Sequence, residues 1–132
     1  MKALTVWQPY ATAILLHGKD VENRPWKPPA RLYRQRIAIH AGLRINRAAV
    51  AAAAAAGDVL PDPLPTGALL GLVRLAGAHH ADTCGCSCSP WAEPGRWHWE
   101  LTDPRPFPTP VACRGYQRLW TVPPDLPISA AA

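Results

Sequence analysis

Gly18-Lys19-Asp20-Val21-Glu22-Asn23-Arg24-Pro25-Trp26-Lys27 is the segment around which the chain organises. It sets cations, two acids, an amide and a tryptophan within ten residues, directly after the apolar segment Ala11 to Leu16. A plain connector needs turn formers and solubility, and Lys-x-x-Glu-x-Arg-x-Trp exceeds that need. Charges of both signs beside an aromatic plane suit a ligand that carries phosphates and bases. The prolines at 25, 28 and 29 make the stretch that follows an extended, stiff loop.

Upstream, Lys2 to Val6 reads as a short strand. Gln8-Pro9 opens a helix with Ala11, Ala13, Ile14 and Leu15 on its apolar face, and Gly18 stops it. Downstream, Arg31 to Ala41 alternates as a strand, with Arg36 and Ala38 on one face and Ile37 and Ile39 on the other. Asn46 caps a second helix through the alanine run to Gly57, which has high propensity but little to bury. Gly67 to Ala78 is apolar enough for a strand buried on both faces. Ala81 to Pro94 reads as a loop, Arg96 to Thr102 as a strand alternating Trp97, Trp99 and Leu101 with His98 and Glu100, and Gln117 to Val122 as a last strand. The order β-α-β-α-β-β-β predicts an α+β fold, a small mixed β-barrel with two or three flanking helices.

The 132 residues make one domain over 1–132, with a core over about 3–123 and a short flexible C-terminal tail. No apolar run approaches the roughly 20 residues that span a bilayer, and no secretory leader is recognisable, so a cytoplasmic monomer without membrane contact is expected. The net charge is +5, yet the window from Lys19 to Arg47 holds eight basic against two acidic residues. That third of the chain carries +6 and the remainder −1, the asymmetry expected of a surface that tracks phosphates.

The ordered blocks Gln8-Pro9-Tyr10-Ala11, Gly18-Lys19 to Trp26, Ile37-Ala38-Ile39-His40-Ala41, Thr66 to Gly71 with Val73, Ser89-Pro90-Trp91, Trp97 to Leu101 with Pro106, and Cys113-Arg114-Gly115-Tyr116 with Leu119-Trp120 together resemble the ASCH domain, a branch of the PUA-like superfamily. The resemblance spans about residues 3 to 123. It implies a PUA-like β-barrel with a cleft floored by the Lys-x-x-Glu-x-Arg segment, and association with RNA or DNA. One branch of the family hydrolyses acetylated cytidine with a Lys, a Thr and a Glu, in a motif Lys-x-x-Thr-x-Arg. Here Lys19 and Arg24 match, Glu22 stands in the Thr position, and Glu93 and Glu100 are the nearest counterparts of the family's Glu. A carboxylate cannot form the same hydroxyl-based acyl intermediate.

The expected function is binding of single-stranded RNA or DNA in a basic cleft, with Lys19, Asn23, Arg24, Trp26, Lys27, Arg36, His40, Arg114, Tyr10 and Trp91 as contact residues. The alternatives are a hydrolase acting on a modified nucleoside or on RNA through Lys19 and Glu22, and a protein-interaction adaptor. Lys19 and Arg24 also suit an internal ion-pair set with Asp20 or Glu22, which is compatible with ligand contact, and Trp97, Trp99 and Trp120 suit the core. Cys84, Cys86 and Cys88, preceded by His79 and His80, have the residue types that hold zinc. Thiols one residue apart depart from the two-residue spacing of a zinc knuckle, so a reduced loop is expected, without metal or cofactor.

Overall fold

The computed structural model describes residues 1–128; the last four residues of the expected flexible tail lie outside them. Strand β1 (Lys2–Gln8) leads into helix α1 (Tyr10–Leu16), and β2 (Val21–Arg24) follows; after a single 3-10 turn come β3 (Gln35–Ile45), α2 (Arg47–Ala55), β4 (Ala68–His80), the one-turn α3 (Ala81–Cys84), β5 (Trp97–Ala112) and β6 (Leu119–Thr121). They form one six-stranded sheet in the order β2-β5-β4-β3-β1-β6. β1 and β3 pair in parallel, and the other neighbours are antiparallel.

The α+β class, the first helix ending at Gly18 and the capped second helix are as expected. Gly18 adopts φ +73°, a left-handed turn that glycine tolerates without a side-chain penalty. The Asn46 side chain accepts a hydrogen bond from Ala49 N at 3.0 Å, and α2 buries no residue. Two strand assignments change. Val21–Arg24, expected as part of the exit from α1, is an edge strand on β5. The expected Arg96–Thr102 strand continues to Ala112 through prolines at 104, 106, 108 and 110. Those prolines fall where the β4–β5 register shifts, between Thr102 and Arg105 and between Pro106 and Val111, so their missing N–H groups lie in these irregularities or face the strand's other edge. β2 covers β5 only as far as Glu100, which leaves that edge beyond it without a ladder to lose.

No backbone ladder joins β2 to β6 among the described residues, so the sheet is not closed by hydrogen bonds into the expected barrel and keeps a seam. Laid flat, β2 and β1 would stand four strand spacings apart, about 19 Å. Arg24 of β2 nevertheless donates from Nη2 to Thr5 O of β1 at 2.9 Å. The sheet must therefore bend until its ends nearly meet, and a side chain bridges the gap.

Alternation along the central strands feeds two apolar clusters. Leu4, Val6, Ile37, Ile39, Val73, Leu75, Trp99 and Leu101 pack with Ile14 and Leu15 of α1. Ala3, Ala38, Leu69 and Leu72 pack on the other face with Trp120 and Val122, against which Leu126 and Ile128 also rest. Ala38 is therefore as buried as Ile37 and Ile39, and the basic residues of β3, Arg36 and Arg44, are confined to its ends.

A polar chain crosses the fold at His40, which is 2% exposed. His40 Nε2 lies 2.7 Å from Cys113 O, and since a carbonyl only accepts, that nitrogen carries the proton. Nδ1 is then free to accept from Thr5 Oγ1 at 3.3 Å, and Thr5 Oγ1 accepts from Trp120 Nε1 at 3.0 Å. Burial pushes the His40 pKa below its ordinary 6.5, opposed by the Cys113 hydrogen bond. Below pH 6.5 the unfolded chain binds the proton first, so stability falls with pH until the lowered folded value is reached. Urea midpoints of wild type should decline across that window, and the His40→Gln variant should decline less. At Gly71 an added Cβ would sit 2.4 Å from Arg105 O and 2.8 Å from Pro106 Cα, both backbone. Gly71→Ala should therefore cost about 1–3 kcal/mol in urea unfolding; an unchanged midpoint would contradict this close β4–β5 approach.

Candidate functional site

Glu22 and Arg24 stand two residues apart on an edge strand and so share a face. Arg24 reaches back to Glu22, with Nε 3.0 Å and Nη2 2.9 Å from Oε2. Lys19 enters from the turn after α1 and is 4% exposed. Its Nζ donates to Val21 O at 2.5 Å and lies 3.6 Å from Glu22 Oε1, an ion pair longer than a direct hydrogen bond. The same Nζ is 5.6 Å from the Tyr10 ring centre and 5.4 Å from that of Trp91, within cation–π range of both. Burial takes the Lys19 ammonium below its ordinary pKa, with Glu22 the main opposing influence. The internal ion-pair set anticipated for Lys19 and Arg24 is thus present, centred on Glu22.

The opposite wall is the segment after the cysteines, held by three contacts to the motif. Ser89 Oγ donates to Asp20 Oδ1 at 2.5 Å. Asn23 Nδ2 donates to Trp91 O at 2.9 Å, and Asn23 Oδ1 accepts from Glu93 N at 3.0 Å. The Asn23 amide acts as a stand-in for a backbone strand, with both polar atoms spent on the wall. Between the walls lies a cleft of about 510 Å³ bounded by Trp7, Tyr10, Lys19, Glu22, Arg24, Trp91, Glu93 and Arg96. A larger groove of about 620 Å³ between α1 and α2 is lined chiefly by alanines and carries little charge.

A second depression of about 590 Å³ adjoins the cleft, sharing Trp7 and Arg24 with it. It contains Thr5, Trp26, His40, Arg114, Tyr116 and Arg118. The Arg118 guanidinium lies 4.0 Å from the Trp26 ring centre, and Trp26 meets Trp99 edge-on at 4.8 Å. Arg114 lies 5.2 Å from the Tyr116 ring.

The sequence-expected residues are thus sorted. Tyr10, Lys19, Glu22, Asn23, Arg24 and Trp91 meet at the cleft, and Trp26, His40 and Arg114 at the second depression. Lys27 and Arg36 border neither: Lys27 Nζ rests 5.7 Å from the Trp97 ring, and Arg36 is paired with Asp103. Of the two glutamates named as counterparts, Glu93 borders the cleft, whereas Glu100 is 3.0 Å from His79 Nδ1. Cys84 and Cys88 come together with His79 and His98, leaving Cys86 outside the group. Trp7, Arg96 and Arg118 were missed. The signal for Trp7 lay in the alternation of β1, where Leu4 and Val6 point inward and a bulky aromatic occupies the outward position; it is 48% exposed, with Arg44 5.3 Å from its ring centre.

No helix among the described residues is long and apolar enough to cross a membrane. Among curated protein sequences none matches the chain. Among solved structures, the chain is similar to the crystal structure of ASCH from Zymomonas mobilis, with a TM-score of 0.63 at 17% identity, covering 94% of this chain and 88% of that one. A crystal structure of a tyrosine-to-phenylalanine mutant of the Zymomonas mobilis protein gives a TM-score of 0.60 at 17% identity over 93% of this chain and 90% of that one. Identity at this level speaks for the fold alone. The model of the ASCH domain matches residues 4–110, most of the chain and every strand but the last, and on that match the chain belongs to the ASCH domain family.

Proposed function

We propose that this ASCH domain binds single-stranded RNA or DNA, taking one splayed nucleotide into the cleft between Tyr10, Lys19 and Trp91. The observation that carries the reading is the mixture of aromatic faces and cations around one opening. Tyr10, Trp91 and the exposed Trp7 offer planes on which a base stacks, and Arg24 and Arg96 offer donors for phosphate. Glu22 lowers the positive charge of the floor but keeps Arg24 in place, so outer phosphates fall to Arg96, Arg44 and the cations of the adjoining depression. The curled sheet serves as a PUA-like barrel sealed at its seam by Arg24. The domain acts as a monomer in this reading, and its partner is the nucleic acid alone.

Lys19 and Arg24 neutralise a buried carboxylate, and removing either risks the fold as well as the site. The cleaner tests are on the rim, at Trp7 and Arg96. In fluorescence-anisotropy titrations of single-stranded oligonucleotides, Trp7→Ala should weaken binding about 5- to 150-fold, the equivalent of one lost stacked base. Arg96→Ala should weaken it and flatten its salt dependence. With two or three phosphates neutralised, a fourfold rise in salt should weaken wild-type binding roughly 7- to 18-fold. Binding that ignores both salt and Trp7 would remove this reading.

One observation favours a hydrolytic second reading: Lys19 is buried, its ammonium destabilised, with Glu22 and Glu93 facing the same opening. An amine poised this way can take a proton from water in front of a bound modified nucleoside. Glu22, already engaged by two cations, supplies no nucleophilic hydroxyl. Turnover of an acetylated cytidine by wild type, abolished in a folded Lys19→Met variant, would establish this activity; no turnover by wild type would leave the binding module.

A further inference from the structure

The loop between β4 and β5 was expected to be a reduced surface loop, and its geometry says more. His79 and His98 are direct cross-strand partners at the mouth of the β4–β5 ladder. Cys84 closes α3, and the chain then turns through two consecutive left-handed residues, Gly85 (φ +58°) and Cys86 (φ +63°), which returns Cys88 toward Cys84. The four ligand atoms all lie within 4.8 Å of one another. We propose that His79, Cys84, Cys88 and His98 form a tetrahedral structural zinc site.

The edges of the cluster carry the argument. Zinc–sulfur bonds of about 2.3 Å and zinc–nitrogen bonds of about 2.05 Å at tetrahedral angles place two sulfurs about 3.8 Å apart, sulfur and nitrogen about 3.6 Å, and two nitrogens about 3.3 Å. The separations are 3.6 Å between Cys84 Sγ and Cys88 Sγ, 3.5 and 3.4 Å from these sulfurs to His98 Nδ1, and 3.3 Å between His98 Nδ1 and His79 Nε2. Four of the six edges thus agree with one tetrahedron, and the other two, from His79 Nε2 to the sulfurs, lie within 4.8 Å.

The ring tautomers point the same way. His98 Nε2 is 2.7 Å from Glu93 O, and a carbonyl can only accept, so the proton of the neutral ring sits on Nε2 and Nδ1 presents a lone pair to the cluster. His79 Nδ1 is 3.0 Å from the Glu100 carboxylate, which likewise puts the proton there and the lone pair on Nε2. With both rings neutral, two lone pairs face each other at 3.3 Å, and His98 is fully buried. A cation resolves that arrangement. A carboxylate behind one imidazole and a carbonyl behind the other are the outer partners that orient zinc-bound histidines.

The spacing objection disappears once Cys86 is left out. Cys84 and Cys88 are separated by three residues, inside the two-to-four range of paired zinc thiolates. Four protein ligands close the coordination sphere, which makes the site structural. It braces residues 81–96, the loop that delivers Ser89, Trp91 and Glu93 to the cleft. The site holds whether or not the cleft binds nucleic acid.

Protein purified under reducing conditions should contain about one zinc per chain. After stripping with a chelator, cobalt(II) should restore the visible d–d bands of a tetrahedral ion and a near-ultraviolet thiolate-to-cobalt charge-transfer band. Cys88→Ser should lose or alter that spectrum, and Cys86→Ser should keep it. Stripping should lower Tm by roughly 10 °C or more, and zinc should restore it. Wild-type protein that neither carries zinc nor yields the cobalt spectrum overturns the proposal, as does a metal-free Cys84–Cys88 disulfide or equal loss in Cys86→Ser. A stripped protein of unchanged Tm overturns the structural role.

Discussion

The Glu22 carboxylate is the constraint on which the sheet and the cleft both depend. It is buried, and it gathers Arg24 and Lys19 around itself. A lone buried carboxylate would be too costly to keep ionised, and pairing only offsets that cost; removing one partner of such a set typically costs about 3–5 kcal/mol. Its value here is geometric. Holding Arg24 against Glu22 lets Nη2 reach Thr5 O across the seam, so the charge that closes the sheet also floors the opening between sheet and loop.

The cleft wall is built by a different economy of bonds. The loop after α3 has no ladder to fix it, and Asp20 and Asn23 supply the missing order through side chains. Trp91 then faces Lys19 as a consequence of backbone positions held from the far side of the loop. The His–Cys cluster secures the other end of the same loop, so its two ends are restrained by unrelated chemistry. That division explains how a polar, glycine-containing segment can present an aromatic ring in a defined place.

The sequence made elements legible where periodicity and caps coincide. α1 ends at Gly18, Asn46 caps α2, and β4 is apolar on both faces because both faces meet core. β2 escaped notice because four residues with two charges and an amide carry no apolar alternation; its strand character comes from pairing with β5, a tertiary fact. β5 was cut short at its prolines, since a sequence does not reveal that one edge of the strand is bare. The charge window was read correctly as a count but not as a surface. Arg36 belongs to Asp103, and Lys27 to Trp97, because ion pairs and stacking are settled by neighbours distant in sequence.

The cysteines show the same limit from the other side. Read as a line, Cys84, Cys86 and Cys88 are thiols at alternate positions, and nothing in the spacing separates their roles. The left-handed pair at Gly85 and Cys86 breaks that equivalence, because it reverses the chain between the first and third thiol. The histidines complete the selection: His79 is chosen over His80 by strand alternation, since His80 caps α3 by accepting from Asp82 N at 3.1 Å. His98 enters through its register opposite His79, nineteen residues away in sequence and adjacent in the ladder. A four-residue constellation thus follows from one turn and one register, neither of which is written in the spacing of the cysteines.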